Sequence, residues 1–175
     1  TMVYCQNKPK KEKGANIKEM IKTNDYTREE KREIEKRYFR SISLQDARKD
    51  FSKLRDSYRE LKPYSRIGNK VVDYFTRLQR IDTKGNKGIS FFDFHHNQKL
   101  FLKKKKYLQN FMKKNQEKRG FDYSFKAAFD LYFGSIRIFK PLNAMNVYSM
   151  FQPKSILDFT CGWGGRLIGA AALNI

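Results

Sequence analysis

Residues Ser155 to Ala170 constrain the fold more than any other part of this 175-residue chain. An apolar segment with an acid near its end, Ile156-Leu157-Asp158-Phe159, follows a Pro153-Lys154 turn. Thr160-Cys161-Gly162-Trp163-Gly164-Gly165 then supplies a glycine-rich bend, and Arg166 to Ala170 continues in small and apolar residues that suit a helix. The pattern predicts a short buried strand, a tight loop and a helix. Open α/β sheets use that arrangement to present backbone amides and a helix N-terminus at the carboxyl end of a strand. A doubly wound sheet needs further strand and helix units beyond its first loop, so the expectation is the front part of a larger protein.

Upstream, the apolar spacing is helical. Residues 1–24 are Lys-rich with Pro9 and Gly14 as breakers, which predicts a basic flexible arm. Thr27 and Glu30 have capping-box spacing and start a helix to about Phe39. Leu44, Ala47, Phe51, Leu54, Tyr58 and Leu61 advance by three or four, giving a second helix that Pro63 closes. A third runs from about Asn69 to Ile81, before a turn at Lys84 to Gly88. Ser90, with Asp93 three residues on, opens a long helical segment to about Lys118. A short aromatic-faced helix from Ser124 to Phe133, an extended stretch from Ile136 to Phe139 and a helix from Pro141 to about Phe151 follow. The expected class is therefore α+β: a basic arm over 1–24, a basic helical region over 25–120, and over 121–175 the first strand, loop and helix of a Rossmann-like α/β fold.

Charge separates these regions. The 38 Lys and Arg exceed the 18 Asp and Glu by 20, a field that attracts polyanions, with nucleic acid as the expected partner. The densest positive run is Lys103, Lys104, Lys105 and Lys106, followed by Lys113, Lys114, Lys118 and Arg119. Beside it, Leu100, Tyr107, Leu108 and Phe111 form an inward stripe. This face is a candidate for phosphate contacts. The alternative is a solubilising surface, since four consecutive lysines cannot share one side of a helix at about 100° per residue. The 15 Phe and 10 Tyr supply core area and candidate stacking faces for bases. From Pro141 onward the only charges are Lys154, Asp158 and Arg166.

Cys5 and Cys161 are too few for a disulfide framework or a zinc ligand set, which fits a reducing compartment. No apolar run approaches the ~20 residues of a membrane span, and no signal-peptide pattern opens the chain, so an intracellular, cytoplasmic or DNA-associated protein is expected. His95-His96 invites a metal site, but adjacent histidines point apart on a helix, and a packed helix start explains them as well. No nucleophile elbow accompanies a Ser or Cys.

The run Leu157-Asp158-Phe159-Thr160-Cys161-Gly162-Trp163-Gly164 resembles the first motif of S-adenosylmethionine-dependent methyltransferases. Lys140-Pro141-Leu142 and the helix after it look like the Lys-Pro cofactor motif that precedes that strand in DNA amino-methyltransferases, and the spacing between the two agrees. The resemblance covers about the last forty residues. It implies S-adenosylmethionine as cofactor and methyl transfer to an exocyclic base nitrogen, adenine N6 or cytosine N4. By position it assigns cofactor contacts to Lys140, Pro141, Phe159, Thr160, Cys161, Gly162, Trp163 and Gly164, with Asp158 ordering the loop. The chain departs from the family in carrying Phe159 where Pro commonly follows the acid and Trp163 where Ser commonly stands, and it contains no Pro-Pro pair of the catalytic signature. Two other classes fit the same residues: a noncatalytic basic nucleic-acid-binding or viral structural protein with a degenerate loop, and a methyltransferase for protein or small molecules.

Overall fold

The architecture, seen in a computed structural model that describes residues 20–60, 62 and 64–175, is helical throughout, with no sheet among the described residues. The helices are α1 (Arg28–Tyr38), α2 (Leu44–Ser57), α3 (Asn69–Asp82), α4 (Phe91–His96), α5 (Gln98–Lys104), α6 (Lys106–Arg119), α7 (Phe121–Phe129), α8 (Pro141–Phe151) and α9 (Gly165–Ala172). A 3-10 turn, Tyr58–Glu60, extends α2, and a π turn, Asp130–Gly134, extends α7.

The starts of three helices follow from local chemistry. Thr27, Ser43 and Ser90 each accept a hydrogen bond from the backbone N–H three residues on, and the carboxylates of Glu30, Asp46 and Asp93 each accept one from the backbone N–H of the cap residue. Each reciprocal pair satisfies two donors that a helix start otherwise leaves without partners.

The expected long helix from Ser90 to Lys118 is instead three helices, broken at Asn97 and Lys105. Asn97 spends its side chain on distant backbone: Nδ2 donates to the Lys22 carbonyl at 2.7 Å and Oδ1 accepts from the Lys22 N–H at 3.0 Å. Asp93 likewise accepts from the Asn24 backbone at 3.0 Å and its amide at 2.7 Å. The segment around Lys22 to Asn24, expected to belong to a flexible arm, is thus pinned against α4; residues 1–19 of that arm lie outside the described residues.

Two apolar clusters hold the helices. The larger is aromatic: Phe91, Phe92, Phe94, Phe101 and Phe125 are fully buried, with Tyr38, Leu108, Met112, Phe129 and Phe133 around them. Phe94 stacks on Phe125 with ring centroids 4.5 Å apart, and Phe91 meets Phe129 edge-on at 5.2 Å. Such pairs add about 0.5–1.5 kcal/mol each beyond area burial. The smaller cluster packs Leu54 of α2 against Leu142 and Met145 of α8 and Ala172 of α9.

The C-terminal region corrects the expected α+β class. Ser155 to Asp158 carries no strand assignment, and the Rossmann-like strand-loop-helix does not form. Nor does Ile136 to Phe139 become a strand. A strand is held by ladder hydrogen bonds to a neighbour and by burial of its faces, and this segment has no ladder and leaves one face open. Leu157 and Phe159 are 89% and 88% exposed, so the stretch expected to be a buried strand is an unpaired connector between α8 and α9. Only the helical part of the pattern is realised, as α9.

Candidate functional site

The glycine loop is built around one carboxylate. Asp158 accepts from the Arg166 guanidinium at 2.7 Å (Nε to Oδ2) and 3.0 Å (Nη2 to Oδ1), and from the Thr160 N–H at 3.2 Å. Arg166 also donates to the Thr160 carbonyl and to its hydroxyl. The hydrogen bonds from Arg166 hold the Asp158 carboxyl below the usual carboxylate range. A bidentate Arg–carboxylate fork thus ties the residue before the bend to the first turn of the helix after it. Gly162 and Gly164 take the left-handed conformation (φ 56° and 79°) that side chains rarely adopt.

A close approach fixes the helix behind the loop. A Cβ at Gly165 would sit 1.8 Å from the Phe139 carbonyl oxygen, so only glycine fits there. Gly169 similarly faces the Pro141 carbonyl and the Ala144 methyl. The two segments singled out in the sequence, Lys140-Pro141 and the glycine loop with its helix, are therefore brought together. Pro141 is buried at the first position of α8, and Lys140 is half-buried with Nζ 3.3 Å from the Tyr64 carbonyl. The other loop residues are more open. Phe159, Thr160 and Cys161 are exposed and Trp163 is half-buried. Arg166 lies 5.8 Å from the centroid of the Phe139 ring.

A cavity among the described residues lies away from the loop. A cleft of about 890 Å³ opens between the aromatic cluster and the start of α8, and Asp158 to Gly164 do not line it. Its walls are cationic. Arg40, Arg66, Lys70, Arg137 and Lys140 line it with no ion-pair partner among the described residues. Three further bases are tied down. Arg77 donates to the Arg40 carbonyl at 2.6 Å and to Asp73 at 3.1 Å, with Glu35 at 3.9 Å. Arg80 pairs with Asp73 and reaches the Ile136 carbonyl at 3.4 Å. Lys126 pairs with Asp130 one turn on. Burial raises the Glu35 carboxyl above its usual range, with Arg77 opposing, and pushes the Arg80 guanidinium below its usual value, with Asp73 opposing. Arg77 and Arg80 are thus held by acids, while the other five bases have no carboxylate among the described residues to neutralise them.

None of the sequence-predicted phosphate contacts lines this cleft. Lys103, Lys104, Lys106, Lys113, Lys114 and Arg119 are exposed on α5 and α6, and Lys105 sits at the break between them. Arg119 comes nearest in role: its guanidinium lies 4.9 Å from the ring centroid of Tyr123, which does line the cleft. Apart from Lys140, the cleft bases carried no sequence signal, because they come from the ends of α1 and α7, from α3 and the turn before it, and from the connector before α8. His95 is a packed helix residue, with Nδ1 2.8 Å from the Tyr26 hydroxyl and its ring against Tyr38 and Phe125.

The described residues contain no group of three or more metal-ligating side chains and no helix long and apolar enough to cross a membrane. Compared with protein-family models, curated proteins and solved structures, the chain matches none.

Proposed function

We propose that this chain serves S-adenosylmethionine-dependent methylation of nucleic acid, with an exocyclic amine of a DNA base as target, phosphates gathered in the cationic cleft and cofactor held at the Asp158 to Gly164 loop. One observation carries the reading. The connector Arg137 to Pro141 is shared: Arg137, Ile138 and Lys140 line the cleft, while the Phe139 carbonyl and Pro141 pack against Gly165 and Gly169 behind the loop. A strand lying on the cleft bases would thus run beside the loop that the sequence likens to a cofactor motif. In that loop Asp158 serves as the internal anchor, and the cofactor contacts fall to the backbone from Phe159 to Gly164, to Trp163 and to the N-terminus of α9. The cofactor supplies a methyl group on a sulfonium, and the cleft supplies position.

The Arg166 fork favours a second reading. An acid already satisfied by its own helix suits a protein that binds nucleic acid without a cofactor. Calorimetric titration with S-adenosylmethionine, with and without a DNA oligonucleotide, separates the two. Methylation predicts a saturable heat that Asp158→Ala abolishes; DNA binding with no cofactor heat leaves the noncatalytic reading.

A further inference from the structure

Taken as the nucleic-acid site of the proposed function, the cleft has a size and lining that bear on which form of nucleic acid it takes. Its volume of about 890 Å³ is small beside B-DNA, whose major groove alone is about 12 Å wide and 8.5 Å deep. A duplex can lie across such a cleft but cannot enter it. The volume falls instead in the range of about 300–1,000 Å³ that encloses small ligands, which suits a few unpaired nucleotides.

The lining is also mixed in a way that duplex phosphates do not use. Tyr123 stands in the cleft wall with 48% of its surface exposed, and the Arg119 guanidinium lies 4.9 Å from its ring centroid. Deeper in, Phe39 carries Lys126 at 5.1 Å and Arg77 at 6.0 Å from its ring centroid. Arg66, Lys70 and Arg137 bring unpaired charge to the same walls. Aromatic faces interleaved with cations are what an unstacked strand engages, its bases on rings and its phosphates on the bases between them. A stacked duplex offers phosphates, sugars and groove edges, but its base faces are covered by their neighbours.

We infer that the cleft is a single-stranded DNA site that excludes duplex, with Tyr123 as a stacking platform and Arg66, Lys70 and Arg137 as phosphate contacts. Arg77 and Arg80 are already paired with Asp73, so the charge open to phosphates is that of the bases without ion-pair partners among the described residues.

Fluorescence anisotropy with the full chain tests this, using a fluorescein-labelled 12-nucleotide oligo-dT and a 12-base-pair duplex of mixed sequence, in about 50 and 200 mM salt. The expected result is at least tenfold tighter binding of the single strand. Tyr123→Ala should then weaken single-strand binding roughly 5- to 150-fold, the range for loss of one stacked base, with duplex binding unchanged and Tyr123→Phe restoring most of the loss. Arg137→Gln, at an exposed position outside both cores, should weaken single-strand binding and flatten its salt dependence. Equal or tighter duplex binding, or a Tyr123→Ala loss equal for both forms, overturns the inference while leaving a nucleic-acid role intact. Binding of neither form overturns that role as well.

Discussion

Gly165 shows how one residue can set the position of a whole loop. Its Cα lies so close to the Phe139 carbonyl that any side chain must push α9 off the connector. Gly165→Ala is expected to destabilise the protein by about 3 kcal/mol, near the upper end for overpacking. Leu167→Ala, on the 63% exposed face of the same helix, is expected to stay within about 0.5 kcal/mol. Urea midpoints of the two variants check this. His95 gives a pH signature. Burial, then the nearby Arg37 and His96, lower its pKa, so the folded protein favours the neutral ring. A group depressed on folding adds stability above its unfolded pKa of about 6.5 and loses it as pH falls toward the folded value. The urea midpoint should therefore drop below about pH 6.5, and His95→Gln should flatten that drop. At this scale much was legible: Thr27 and Ser90 announce their caps. The Arg166 fork onto Asp158 was not, because a run with an acid and glycines does not say which side chain will turn back to meet the acid.

Elements followed the sequence where the signal was local and departed where it was not. The capping boxes fix the starts of α1, α2 and α4 with bonds spanning three residues. Removing these caps should cost about 0.5–2 kcal/mol each. Ser90→Ala is expected to exceed Thr27→Ala, because the Ser90 and Asp93 bonds are buried while those of Thr27 are exposed. Thermal unfolding of the two variants should rank them so. The break at Asn97 escaped the helical periodicity because the contacts of its side chain come from 75 residues away. The expected strand failed for a related reason. Periodicity reports what a face would bury, but a strand needs neighbours to pair with, and Ser155 to Asp158 has none among the described residues.

For the molecule as a whole, the charge of +20 points to a polyanion partner, and its densest concentration along the sequence is the lysine run from Lys103 to Lys106. Consecutive lysines are conspicuous in a sequence and exposed in the fold. The cleft bases are scattered from Arg40 to Lys140 and meet only through tertiary packing. An enclosed array concentrates potential more than an open helix surface, since low-dielectric walls focus the field. The most direct test of the account is the salt dependence of DNA affinity in two variants, one neutralising Arg66, Lys70 and Arg137 and the other neutralising Lys103 to Lys106. The account predicts that the cleft variant loses at least tenfold in affinity and flattens the log–log salt slope by about two to three, near 0.7–0.9 per lost phosphate contact, with a smaller loss in the lysine-run variant. An unchanged slope in the cleft variant, with the loss confined to the lysine run, would contradict it.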